Sequence, residues 1–154
     1  MALAITPFQA LCGFRPLPEI ARFLQLVPEL ASLIPAAVLQ TFLSAAAAAS
    51  SSRRLGEQME KDVLRNVFTA VMTAPELDIK RQLRRLVSRY KGGGAKTAEG
   101  ETQQLVDLVV KLDLQFPNDI GVFCPFLLNY VVLEPGEAIF LGAGEPHAYL
   151  YGGK

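Results

Sequence analysis

The hydrophobic pattern changes period twice along this chain, and no other feature limits the possible folds as much. Leu3, Ile5 and Phe8 alternate loosely, as a strand does, and Gly13 and Pro16 then punctuate. From about Leu17 to Gln115 apolar residues recur every three or four positions, which predicts helices. From Phe116 to Lys154, β-branched runs return between Gly/Pro turns. The order strand, helices, strands is an α+β pattern whose simplest topology places a helical block inside a β domain. The expected divisions are 1–15, 16–116 and 117–154.

Inside the helical block, Pro18 suits a first turn, where its missing N–H costs nothing, and Ile20, Phe23, Leu24 and Val27 follow at helical spacing. Pro28 ends or kinks that helix. A second helix is expected over Ala36 to Ala49, with Val38, Leu39, Phe42 and Leu43 inward; Ala45 to Ala49 has high propensity but little to bury. A third, Gly56 to Thr73, shows a broad apolar face of Met59, Val63, Leu64, Val67, Phe68, Val71 and Met72. A fourth, Pro75 to Tyr90, turns Leu77, Leu83, Leu86, Val87 and Tyr90 inward and stops at Gly92–Gly94. A fifth runs from Ala98 to Gln115. Residues Asp119 to Phe126 suit helix or strand, and Leu127–Leu133, Ala138–Leu141 and His147–Leu150 read as a β-meander.

Composition excludes several function classes. With 154 residues, 51% apolar and 19% charged, the chain can bury one ordinary core. Lys+Arg and Asp+Glu balance at 15 each, so no global field attracts nucleic acid. The basic run Lys80, Arg81, Arg84, Arg85, Arg89 and Lys91 has no interleaved aromatics and reads as a solvated helix face, with no nucleic acid as partner. No charge falls between Glu29 and Arg53, but Pro35, Gln40, Thr41 and Ser44 interrupt that stretch, so two short buried helices are expected and no membrane span. The N-terminus has no basic start and is a poor secretory signal. Cys12 and Cys124 lack metal-type spacing and read as buried thiols in a reducing compartment, with pairing left open. Neither a P-loop nor GxGxxG is present, and Gly92–Gly94 ends a helix where a P-loop would open one.

The sole histidine, His147, follows a Gly/Pro turn at the start of a strand. Imidazole suits zinc, but a catalytic zinc takes three protein ligands and a water. From residue types alone, a structural or surface histidine is the plainer reading. Glu145, two residues earlier, would share its face in a strand, and Glu134 and Glu137 read as solvated turn charges.

Two segments carry a resemblance. They are ALAITPFQALCGFRP (Ala2 to Pro16), and LLNYVVLEPGEAIFL (Leu127 to Leu141) running on to PHAYL (Pro146 to Leu150). Both resemble type I phosphomannose isomerases (mannose-6-phosphate isomerases) in the right order, and the helical block matches that family's inserted helical domain in position and size. The resemblance implies a helical insertion flanked by strands of an incomplete cupin-type β-barrel. It also implies one Zn2+ per complete chain and the interconversion of mannose 6-phosphate and fructose 6-phosphate, in a cytoplasmic monomer with no membrane partner. It makes His147 a zinc ligand aimed into the barrel, and Tyr149 a residue lining the sugar pocket. The family's Gln-x-His motif and ligating glutamate lie upstream of the first segment and are absent here, as is a downstream arginine-containing segment. One of four ligands is therefore present, and no residue can be named as catalytic base. The sequence is expected to be a segment of a longer chain, inactive alone. The competing reading is a non-enzymatic helical interaction module that retains part of a barrel.

Overall fold

The computed structural model describes residues 2–51, 56–92, 103–139 and 146–151. The chain divides into two compact units, one made of Met1–Arg15 with Cys124–Lys154, the other of Pro16–Phe123. The second cut comes later than the change of period at Phe116, because Val122 and Phe123, both buried, belong to the helical unit.

The helical unit holds α1 (Leu17–Leu26), α2 (Pro28–Ala31), α3 (Ala36–Ser50), α4 (Glu57–Met72), α5 (Glu76–Lys91) and α6 (Gln103–Gln115). Prolines set several of the starts. Pro16, Pro35 and Pro75 precede α1, α3 and α5 with ψ of 145°, 141° and 137°, extended backbone that turns into a helix on the next residue. Pro28 separates α1 from α2. The start of the fifth predicted helix, 98–102, lies outside the described residues.

Burial is narrower than the apolar pattern suggests. In α4 only Val63, Val67 and Val71 are buried, while Met59 and Met72 are exposed. In α5 the buried stripe is Ile79, Leu83, Leu86, Val87 and Tyr90. Leu77, expected inward, is 73% exposed, since it lies two residues before Ile79 and so about 200° around the helix. In α3 the buried residues are Phe42, Ala45 and Ala46, with Val38, Leu39 and Leu43 only half-buried. The alanine run thus contributes to the core through Ala45 and Ala46. Among the described residues, no helix is long and apolar enough to cross a membrane.

One member of the basic run departs from the solvated face. Arg89 donates from Nε to Oε1 of Glu29 at 2.9 Å and from a terminal nitrogen to Oε2 at 3.2 Å, a bidentate pair between α5 and α2. Glu29 is only 7% exposed, the one charged residue buried among those described. The guanidinium also lies 5.1 Å from the centre of the Tyr90 ring. Lys80 and Arg81 keep to the solvated reading, with exposed ion pairs to Glu76 (3.1 Å) and Asp78 (3.8 Å).

The β unit contains β1 (Ala2–Leu3), β2 (Phe8–Phe14), a 3-10 helix (Ile120–Phe126) that begins in the helical unit, β3 (Leu128–Leu133), β4 (Ala138–Ile139) and β5 (His147–Tyr151). Among the described residues, the late strands do not form a meander. β2 lies between β3 and β5, antiparallel to both, and β1 pairs with β4. The early strand takes the inner edges that a meander would join to each other. Ile5, counted into the alternating pattern, is 66% exposed in the link between β1 and β2. The predicted turn at Glu134–Glu137 forms with Gly136 at φ +92° and the Glu137 N–H donating to the Glu134 carbonyl at 3.0 Å. Glu137 is more than a solvated charge there, since its carboxylate accepts the Glu134 N–H at 2.8 Å.

Gly13 is a bulge rather than a turn. Leu11 pairs with Tyr130 and Phe14 with Leu128, so Cys12 and Gly13 together oppose Asn129. Gly13 has φ +68°, in the left-handed region. Gly13→Ala is therefore expected to cost about 1–2 kcal/mol. Urea unfolding of the β unit measures this, and an unchanged midpoint would contradict the strained backbone.

Candidate metal and substrate face

The β2–β5 ladder sets where each candidate side chain stands. Cys12 pairs with His147, Leu11 with Ala148 and Ala10 with Tyr149. Alternation puts Phe8, Ala10 and Cys12 on one face of β2. They are buried together with Ala4 and Leu133, and Val131 and Ile139 pack against them. Directly opposed residues in an antiparallel pair project to the same side, so His147 stands on the face of this cluster, beside Cys12. The other face carries Leu11 and Tyr130. Burial raises the Tyr130 hydroxyl above its usual pKa, but its position on that face keeps it out of the candidate site.

The imidazole of His147 is exposed, where the resemblance implies a ring directed into a cavity. Its strand has a described neighbour, β2, on one side only. Tyr149 is placed two residues on, opposite Ala10; its side chain lies outside the described residues, as does all of Glu145. Cys12 is buried and Cys124 half-buried. Among the described residues, no three His, Cys, Asp or Glu side chains are grouped so as to hold a metal. Among the described residues, the donor types on this face are the His147 imidazole and the Cys12 thiol beside it, too few to hold zinc alone.

Backbone contacts anchor the histidine. The Gly13 N–H donates to the carbonyl of Pro146, the residue before His147, at 2.9 Å. On the opposite side of β2, the Asn129 amide donates toward the carbonyls of Cys12, Gly13 and Phe14 at 3.3, 3.4 and 3.1 Å. Arg15 closes the end of the same ladder, with its N–H on the Leu127 carbonyl at 2.9 Å and its Nε on that of Pro125 at 3.0 Å. Sequence reasoning passed over Asn129. The available signal was an amide side chain inside the apolar run Leu127–Leu133.

Comparison with known proteins points to one family. Residues 39–128 match the model of the phosphomannose isomerase type I helical insertion domain. A mannose-6-phosphate isomerase of Ogataea parapolymorpha is 46% identical over 153 residues, covering 99% of this chain and 34% of that protein. Mannose-6-phosphate isomerase 1 of Arabidopsis thaliana is 41% identical over 155 residues, covering 99% of this chain and 33% of that protein. The crystal structure of mannose 6-phosphate isomerase from Salmonella typhimurium, bound to fructose 6-phosphate and zinc, superposes with a TM-score of 0.66 at 27% identity, over 97% of this chain and 32% of that one. The chain spans about a third of the length of the curated relatives it matches. On the strength of the insertion-domain match, which covers more than half of its residues, this chain belongs to the type I phosphomannose isomerase family.

Proposed function

We propose that this chain supplies the helical insertion and one zinc-ligating strand of an enzyme that interconverts mannose 6-phosphate and fructose 6-phosphate. The observation that carries the reading is the register of β5 on β2. It sets the only histidine of the chain opposite Cys12, on the face where Ala10 and Cys12 are buried. In this reading that face lines a cupin-type barrel. His147 contributes one of four zinc ligands, and Tyr149 stands along the same strand to line the sugar pocket.

The reaction moves a proton between adjacent sugar carbons through an enediol, and a general base must stand within hydrogen-bond reach of that proton. Zinc, when bound, supplies a Lewis acid that polarises sugar oxygens. The task of this chain's residues is narrower. The register of β5 on β2 sets the face on which His147 stands, the face where Phe8, Ala10 and Cys12 are buried. None of its residues is assigned as the base. We also propose a cytoplasmic setting, in keeping with a chain of only two cysteines, and a monomer with sugar phosphates as its partners.

The test is turnover. This chain alone should leave mannose 6-phosphate unchanged. Substituted for the matching third of the Ogataea parapolymorpha relative, it should support isomerisation within about tenfold of the parent, the change that a 1.4 kcal/mol shift in the barrier produces. An inactive chimera that is folded and loaded with zinc would favour a non-enzymatic helical module.

A further inference from the structure

We propose that Asn129 is a positioning residue for His147, acting through the β2 bulge; the functional meaning of this rests on His147 being a ligand. In a regular strand, successive carbonyls point to opposite edges, so one side chain cannot reach three in a row. Here a single amide nitrogen lies 3.1–3.4 Å from the carbonyl oxygens of Cys12, Gly13 and Phe14. The left-handed Gly13, at φ +68°, makes this possible by turning the middle of the strand. The same peptide segment then presents the Gly13 N–H to the other edge, where it meets the Pro146 carbonyl at 2.9 Å.

The two contacts lie on opposite sides of one bulge. Asn129 of β3 holds it from one edge, and Pro146 takes its N–H at the other. The Gly13 to Pro146 bond makes Cys12 and His147 a non-hydrogen-bonded pair, the kind in which the two Cα atoms approach to about 4.5 Å. Register at this point decides the face of the imidazole, because a slip of one residue would move every β5 side chain to the opposite side of the sheet. The amide of Asn129 therefore specifies the direction of His147 without touching it. Asn129 itself is half-buried, so its donors have limited access to water as an alternative partner.

Solution NMR on this chain tests the proposal without any metal. His147 is the only histidine, so its signals are unambiguous. In Asn129→Ala, the Gly13 amide should exchange about tenfold faster, the effect of losing one hydrogen bond of ordinary net strength. The cross-strand α-proton contact between Cys12 and His147 should vanish, while the Phe8–Leu133 end of the β2–β3 ladder persists. Asn129→Asp keeps the shape, offers no N–H and sets a charge against three carbonyls, so it should disturb His147 more than alanine does. A packing role would give the reverse order. Unchanged Gly13 exchange and an intact Cys12–His147 contact in both variants would overturn the proposal. Loss of the whole sheet in both would also overturn it, since Asn129 would then serve the fold at large. A failure of the zinc reading leaves these signals untouched, so the two ideas fail separately.

Discussion

Arg89→Ala is expected to destabilise the helical unit by about 3 kcal/mol, the lower end of what breaking a buried ion pair costs. The effect comes from the partner left behind. Glu29 is 7% exposed and would lose both hydrogen bonds of a bidentate guanidinium. The lower end applies because the Arg89 side chain is 30% exposed, so part of its charge is already hydrated in the folded state. The contrast with a double replacement is the stronger check. Glu29→Met combined with Arg89→Met removes both charges and should cost about 1 kcal/mol or less, because well-packed apolar residues can substitute for a buried pair. Urea unfolding followed by the helical circular dichroism signal would measure both. A single variant no less stable than the double would show that the pair is only a surface contact.

Phe42→Ala is expected to cost about 3–5 kcal/mol in the same unit. The side chain is fully buried, and in α3 it is the one large residue among the three that are. Its neighbours along the stripe, Ala45 and Ala46, have no side-chain length with which to refill the space. Phe42→Leu retains most of the volume and should cost about half as much or less. If Phe42→Ala lowered stability by no more than Phe42→Leu, the α3 face would not be a packed interface.

The helices were readable because their period is local. Ile20, Phe23 and Leu24 are buried as their spacing requires, and the prolines at 16, 28, 35 and 75 mark helix boundaries through a constraint on their own φ or on the preceding residue. What could not be read depends on partners far away in sequence. Arg89 looks like any other member of a solvated basic face until Glu29, 60 residues earlier, is placed beside it. The strand order failed for the same reason. Nothing near Leu128–Leu133 or His147–Tyr151 says that β2 separates them. Gly13 reads as a turn because Gly and Pro mark turns and bulges alike; only the pairing with Tyr130 and Leu128 distinguishes the two.

The candidate site rests on resemblance and not on spacing. One histidine with no second ligand carries no metal signature, and the described residues contain no ligand cluster that would supply one. The structure adds the orientation: the strand of His147 is held against Cys12, and the bulge opposite Asn129 sets its register. The ring itself is exposed, where the resemblance implies one directed into a cavity.

The most direct measurement is the zinc content of the chimera with the Ogataea parapolymorpha relative, with and without His147. The intact chimera should keep one zinc per chain through dialysis against a weak chelator. His147→Ala should bind zinc at least about 100-fold more weakly, beyond the loss typical of an outer-shell partner, and should emerge from dialysis nearly empty. A His147→Ala chimera that retains a full equivalent with unchanged affinity would contradict the assignment of His147 as a ligand.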